Sequence, residues 1–273
     1  SPISWFGGGE MRGIQAILGV AVLVAFGGAA QAADRLGYEI YLGGLHVGSL
    51  EARIDRSADG YQLELDGKSR GLVEWLTSFS GRMVANGATG EGGALFPRSY
   101  SERVSFRGDA RRVDVGYSEL GGVSNVKTDP PPEKDDRDPV PPDLLKEAVD
   151  PLTGLIGAGQ RALAAGNCDA RLPLFDGRRR LDMLFTDAGM DTLKPEGLAR
   201  FSGPARRCRF KVTVLAGAKK TETRWNRPED RGRTHTAWIA EARPGGPVVP
   251  VRIEAEGAYG WLVVHLVSVT DAP

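Results

Sequence analysis

The chain is poor in the residues that most often carry chemistry. Its 273 residues include only two cysteines and three histidines, which is little material for metal clusters or for histidine-based catalysis. Its 35 basic and 35 acidic side chains cancel, so it lacks the overall positive field of a nucleic-acid binder. We therefore expect no metal, no cofactor and no nucleic-acid partner.

Recognised catalytic motifs are missing as well. The sequence has no Gly-x-Ser-x-Gly elbow, no His-Glu-x-x-His, no Walker loop and no Gly-x-Gly-x-x-Gly after a strand. A glycosidase-like hydrolase needs two facing carboxylates, and the candidates are Asp176, Asp182, Glu254 and Glu256. The last two share a strand face with Arg252, where ordinary ion pairing is the simpler interpretation. We predict a protein that is not an enzyme and has no catalytic residues.

The chain also lacks a long apolar run. Residues 14–26 are mostly apolar, but this stretch is shorter than the roughly 20 residues that span a bilayer, so a transmembrane anchor is disfavoured. Arg12 precedes the run and Ala30-Gln31-Ala32 follows it, which is the pattern of a cleavable secretory signal. We expect residues 1–32 to be an upstream extension plus signal peptide, and residues 33–273 to form a single β-rich exported domain.

Export changes the interpretation of the two cysteines. Cys168 and Cys208 would lie in a compartment that oxidises thiols, and two cysteines in an exported chain most simply form one disulfide. The alternative is a zinc site that adds His235 and His265, but none of the four has the close pair spacing of zinc modules. The sequence therefore predicts a structural disulfide.

Glycine and proline are plentiful, with 37 and 17 residues, and they separate short segments of alternating polarity. Residues 38–42, 61–65 and 207–214 each place apolar side chains on one face and polar ones on the other. This period of two is typical of antiparallel strands with one buried side. The sequence predicts a mainly β fold built on one extended antiparallel sheet.

Helical spacing occurs in two places. A short helix is predicted over residues 72–79, between Gly71 and Gly81. A longer helical region begins at Asp143, with a second start where Asp150 is the N-cap and Pro151 the first helical residue.

Between these regions, residues 129–142 combine prolines with mixed charges. Such a composition cannot bury much apolar surface, so we interpret the segment as an extended, solvated Pro-rich insert.

Two clusters of arginine lie near the cysteines. One consists of Arg178, Arg179 and Arg180, and the other includes Arg207 and Arg209 on the outward face of a strand. If the cysteines pair, the disulfide draws the two clusters together, where they can hold an anionic head group. The alternative is that these arginines keep the surface soluble and pair with carboxylates.

Several segments resemble a family of proteobacterial periplasmic proteins known as a domain of unknown function. They are residues 38–48 (YEIYLGGLHVG), 150–155 (DPLTGL), 175–182 (FDGRRRLD), Cys208 and 251–254 (VRIE). The resemblance implies a large curled antiparallel sheet, open or a spiral barrel, with one or two helices on its concave face. Periplasmic lipoprotein carriers have a similar sheet, whose concave face can hold acyl chains.

We therefore expect a non-enzymatic, monomeric periplasmic protein that binds a lipid or lipoprotein acyl chain and maintains the cell envelope. The alternative is a scaffolding protein that acts through envelope protein partners and has no ligand cavity. The side chains expected to line a ligand site are equally consistent with core packing. They are Tyr38, Ile40, Leu63, Trp75, Phe106, Trp238 and Trp261.

Overall fold

The computed structural model describes residues 33–71, 74, 78–119, 121–220, 233–257 and 260–271. The predicted signal segment, Trp75 and most of the short helix predicted over 72–79 lie outside the described residues. No helix in the described part of the chain is long and apolar enough to cross a membrane.

Alternating polarity produces strands throughout the chain, as the sequence predicts. In β3, for example, Tyr61 and Leu63 are buried while Gln62 between them is exposed. Because successive side chains of a strand point to opposite faces, each such segment can cover a core on one side only. The strands are β1 (Asp34–Leu42), β2 (Leu45–Arg56), β3 (Tyr61–Ser69), β4 (Ser80–Thr89), β5 (Leu95–Phe106), β6 (Asp109–Tyr117), β7 (Val123–Asp129), β8 (Ala170–Phe175), β9 (Arg180–Leu193), β10 (Gly203–Ala216), β11 (His235–Glu241), β12 (Val248–Gly257) and β13 (Gly260–Asp271).

All of these strands belong to one antiparallel sheet. Each strand pairs with the next one in sequence from β1 to β7, and again from β8 to β13. The two halves of the sheet are joined because β13 pairs with β1. The spatial order is β7-β6-β5-β4-β3-β2-β1-β13-β12-β11-β10-β9-β8. Strands β7 and β8 are neighbours in sequence but form the two edges of the sheet, which is curled and unclosed. The predicted fold class is confirmed.

The described residues contain one α-helix, α1 (Pro151–Ala165), which lies between the edge strands β7 and β8 in the sequence. It begins as the sequence predicts: Asp150 is the N-cap, its carboxylate accepts the Thr153 N–H at 2.8 Å, and Pro151 occupies the first turn. It ends at Gly166, whose φ of 68° is favoured by glycine. Because α1 contacts β3, β4 and β5 from one half of the sheet and β8, β11 and β12 from the other, it lies inside the curl.

Two apolar clusters flank this helix. The larger joins strands of both halves and includes Leu36, Tyr100 and Leu266. The smaller lies between α1 and strands β8 to β11 and includes Phe185 and Ile239. The helix therefore separates two packed regions within one sheet.

Parts of the Pro-rich insert are fixed to the rest of the protein, although most of its residues are exposed, as expected of a solvated segment. The Asp135 carboxylate is only 7% exposed and pairs with Arg178. Arg137 Nη1 donates to the Gly217 carbonyl at 2.9 Å, and the Lys220 N–H donates to the Asp136 carbonyl at 3.1 Å. Amino-acid composition indicates how much apolar surface a segment can bury. It does not indicate the ion pairs and backbone hydrogen bonds that hold this segment.

Candidate functional site

The side chains of α1 change in size along its length. In the first turns Leu152 and Ile156 pack on the larger apolar cluster, and Leu155 packs on the smaller one. Gly154 lies deep between elements: a Cβ there would stand 2.6 Å from a Leu174 methyl group. The first half of the helix is therefore packed against both clusters, and Leu155 also borders a cleft beside the second half.

The second half of α1 leaves space. The residues it turns toward strands β8 to β12 are small: Ala158, Gly159, Ala162 and Ala165. Beside them is a cleft of about 430 Å³. Since protein interiors contain few voids larger than a water molecule, this volume distinguishes the second half of α1 from the packed first half.

Strands supply the opposite wall of this cleft. Phe185 and Phe210 lie with their ring centroids 5.5 Å apart, and the His235 ring is 5.3 Å from that of Phe210. Burial, and then the nearby Arg233, lower the pKa of His235. The wall is made by Met183, Phe185, Phe210, Ala237, Ile239, Pro250 and Ile253.

The disulfide forms one corner of the cleft. Cys168 follows α1 and Cys208 lies on β10, and the two are bonded, as predicted. Cys208 is fully buried and Cys168 lines the cleft. The disulfide therefore fixes the chain that leaves α1 to the strand that carries Phe210.

Polar side chains occur at the mouth of the cleft. Arg161, Asn167 and Asp169 are exposed there. Among the described residues no carboxylate lies within salt-bridge distance of Arg161. The cleft thus combines an apolar interior with one unneutralised cation at its entrance.

A buried polar group lies at the opposite end of α1. Asp150 is fully buried, and desolvation raises the pKa of its carboxyl group to about 6. The Tyr61 and Thr153 hydroxyls share a hydrogen bond of 2.8 Å. Within the described part of the chain, Asp150 Oδ2 and the Tyr117 hydroxyl have no hydrogen-bond partner. These groups anchor the helix to β3.

The side chains predicted to line a ligand site are distributed differently. Tyr38, Leu63 and Trp238 belong to the larger core cluster and Ile40 packs against it, whereas Phe106 and Trp261 are 41% and 52% exposed. None of these six lines the cleft, and Trp75 lies outside the described residues. The sequence did not identify the cleft residues because their strands alternate in polarity like any core strand. The only sequence signal of the cleft is the run of small residues in α1.

The structure does not bring the two arginine clusters together. Arg180 lies opposite Ala216 at one end of the β9–β10 pair, while Arg207 lies nine residues away along β10, which is about 30 Å at the usual rise of a strand. The disulfide sits beside Arg207 and Arg209 at the far end from the first cluster.

Members of the first cluster already have protein partners. Arg178 is buried against Asp135, and Arg180 is 3% exposed and pairs with Asp182. Arg179 pairs with Asp176 at 2.7 Å. Arg207 donates to the Ala188 carbonyl at 3.2 Å, whereas Arg209 is exposed on β10.

The carboxylates considered for hydrolysis are each paired with arginine. Asp176 pairs with Arg179, Asp182 with Arg171 and Arg180, Glu254 with Arg252, and Glu256 with Arg233. Within the described residues no group of three or more histidine, cysteine or acidic side chains is placed to hold a metal ion. The expectation that the protein is not an enzyme stays a prediction.

A solved structure shares this architecture. It is the crystal structure of a β-barrel-like protein of the domain of unknown function DUF1849 from Brucella abortus, with a TM-score of 0.51 and 10% sequence identity. The similarity covers 89% of this chain and 98% of that one, and at this identity it shows the fold alone. No protein with curated annotation matches.

Most of the chain matches a known protein family. A family described as a protein of unknown function, DUF3108, matches residues 37–267, which include most of the segments that carry the resemblance. The proteobacterial and periplasmic origin that the resemblance implied stays a prediction. The chain belongs to the DUF3108 family.

Proposed function

We propose that this protein is a non-enzymatic, exported protein that binds a hydrophobic component of the cell envelope in the cleft between α1 and strands β8 to β12. The ligand is the acyl chain of a lipid or of a lipoprotein. The observation that carries the proposal is the apolar cleft of about 430 Å³ beside the small residues of α1.

The size and lining of the cleft support this proposal. Small-molecule sites typically occupy about 300–1,000 Å³ and are mostly apolar, with a few polar groups that fix orientation. Here the interior offers phenylalanine, isoleucine and methionine side chains, and Arg161 stands at the mouth. An acyl chain inside and an acidic head group at Arg161 would satisfy both regions.

The disulfide and the amino-terminal pattern support export. A stable disulfide between Cys168 and Cys208 belongs in an oxidising compartment rather than a reducing one. Residues 11–32 carry a basic residue, a short apolar run and a small-x-small site, which is the pattern of a secretory signal.

Cleft-filling substitutions test the binding site. Ala158→Phe places a ring in the cleft, and Ala164→Phe is the matched control because Ala164 is exposed on the same helix and does not line the cleft. The probe is cis-parinaric acid, a fluorescent fatty acid, titrated into each purified protein. We expect wild type and Ala164→Phe to bind it and Ala158→Phe to bind at least about tenfold more weakly.

Native mass spectrometry of protein purified without detergent provides the second readout. A co-purified lipid that is present in wild type and absent from Ala158→Phe supports the proposal. Absence of both probe uptake and co-purified lipid in wild type overturns it, and would favour a scaffolding role through protein partners.

A further inference from the structure

A second, polar depression lies on the sheet face that points away from the core, and it extends from β13 and β1 across to β7. It has a volume of about 810 Å³ and shares no residue with the apolar cleft. Its lining includes six cationic side chains and four acidic ones. The cations are Lys68, Arg70, Arg82, Arg103, Arg111 and Arg112, and the acids are Glu39, Glu51, Asp66 and Asp129. We call this depression the arginine groove.

The strand register places three of these arginines in one row. Arg82 of β4 lies directly opposite Arg103 of β5, and Arg103 lies directly opposite Arg112 of β6. Residues directly opposite in antiparallel strands have Cβ atoms about 5 Å apart, and like charges there are destabilising. A row of three arginines therefore needs compensation.

Protein carboxylates compensate only the outer two. Arg82 pairs with Glu64 at 2.6 Å and with Asp66 at 3.2 Å, and Arg112 pairs with Asp114 at 2.7 Å. Arg103, between them, has no carboxylate within salt-bridge distance among the described residues. The same holds for Lys68 on the next strand. Arg103 at the middle of the row and Lys68 beside it thus lack a carboxylate partner among the described residues.

In the neighbouring row, the side chains that follow Lys68 are short. Lys68 lies opposite Ser80, Ser80 opposite Ser105, and Ser105 opposite Ala110. Short side chains beside long arginines make the depression, and two serine hydroxyls line it as hydrogen-bond donors. Forked guanidinium groups together with hydroxyls form the donor set that recognises phosphate oxygens.

We propose that the arginine groove binds a multiply charged phosphorylated anion, with Arg103 as the central contact and Lys68, Arg82 and Arg112 around it. The bound anion gives Arg103 and Lys68 an anionic partner, because the described carboxylates beside the row pair with Arg82 and Arg112 instead. The source is either a soluble phosphorylated molecule or the phosphorylated head group of a lipid. The inference is independent of the acyl-chain cleft, because the two sites have no residue in common.

Arg103→Gln is the test variant and Arg53→Gln the matched control. Arg103 is exposed, so its replacement should leave the fold intact. Arg53 of β2 lies on the same face of the sheet as Arg103 but does not line the groove. Inorganic pyrophosphate is titrated into the full chain by calorimetry. We expect Arg103→Gln to bind at least about tenfold more weakly, the loss of one charge-assisted contact, and Arg53→Gln to bind like wild type. Added salt should weaken wild-type binding.

Vesicles distinguish the two sources. Flotation with phosphatidic acid vesicles, whose phosphomonoester head group can carry two negative charges, assigns the groove to a lipid head group if it depends on Arg103. Pyrophosphate binding without flotation assigns the groove to a soluble anion. The proposal is overturned if wild type binds neither probe, or if Arg53→Gln loses as much affinity as Arg103→Gln.

Discussion

Arg178, in the turn after β8, forms an ion pair with Asp135 of the Pro-rich insert, and the two side chains are only 9% and 7% exposed. Nη2 of the same guanidinium also donates to the backbone carbonyls of Asp129 at 2.8 Å and Arg112 at 3.3 Å. A single side chain thus connects the two edges of the open sheet through the segment between them.

Removing that side chain should destabilise the protein strongly. Arg178→Ala leaves the buried Asp135 carboxylate with only the longer 3.5 Å contact to Arg137 Nε, and breaking a buried ion pair typically costs about 3–5 kcal/mol. The control is Lys146→Ala, because the Lys146–Asp143 pair is 74% and 86% exposed and such pairs contribute about 0–1 kcal/mol. Urea unfolding measures both. Equal stability of the two variants would show that the edges are held by other contacts.

Gly177, next to Arg178, should not tolerate a side chain. Its φ is 87°, and a Cβ there would lie 2.0 Å from Val113 Cγ1 on β6. Gly177→Ala should lower the free energy of unfolding by about 2–5 kcal/mol, the sum of left-handed strain and overpacking. Gly189→Ala separates these effects, since Gly189 has a φ of 82° and open space around it, so only about 1–2 kcal/mol is expected. Similar losses in both variants would exclude a steric contact at Val113.

Asp150 should make stability fall as pH rises. Burial raises the pKa of its carboxyl group from 3.8 to about 6 in the folded protein, so the folded state binds the proton more tightly than the unfolded one. Its contribution is therefore most favourable below about pH 4, decreases through about pH 6, and is constant above. The total change is at most about 3 kcal/mol.

Asp150→Asn isolates this effect, because asparagine is an equally good N-cap and does not ionise. Relative to wild type, its stability should increase between pH 4 and pH 7 in denaturant titrations. Asp150→Ala, the control, should be about 1 kcal/mol less stable than Asp150→Asn at every pH, because it loses the cap and neither side chain ionises. A pH-independent difference between Asp150→Asn and wild type would contradict the assignment.

The disulfide should contribute to both stability and binding. Cys168 and Cys208 are separated by 40 residues, for which the chain-entropy model gives about 4 kcal/mol. The double variant Cys168→Ala/Cys208→Ala should therefore melt about 8–16 °C lower, and it should also bind cis-parinaric acid more weakly because Cys168 borders the cleft. Wild type with and without reductant is the companion measurement, and an unchanged melting temperature would contradict the prediction.

Features set by local pattern were predictable from the sequence. Alternation in β3 and β10 identified strands, the Asp150-Pro151 pair located the start of α1, and two cysteines in a chain with a secretory pattern indicated the disulfide. Each rests on residues close together in the chain or on a simple count, so no knowledge of the fold was needed.

Features set by long-range packing were not predictable. Phe185, Phe210 and Ile253 have the same strand pattern as the core residues Tyr38 and Leu63, so polarity alone could not show which of them border empty space. That depends on the small residues of α1 facing them, a contact between segments far apart in sequence.

The amino-acid sequence by itself determined that this is a one-sided antiparallel sheet with a capped helix and a disulfide. Strand period and helix capping depend on residues close together in the chain, and the disulfide followed from the number of cysteines. Only the tertiary structure decided where the sheet stays open, which arginines are buried and which remain unneutralised, and where the cleft lies. Those properties depend on register and on the curl of the sheet, which place residues such as Arg82, Arg103 and Arg112 side by side although they are distant along the chain.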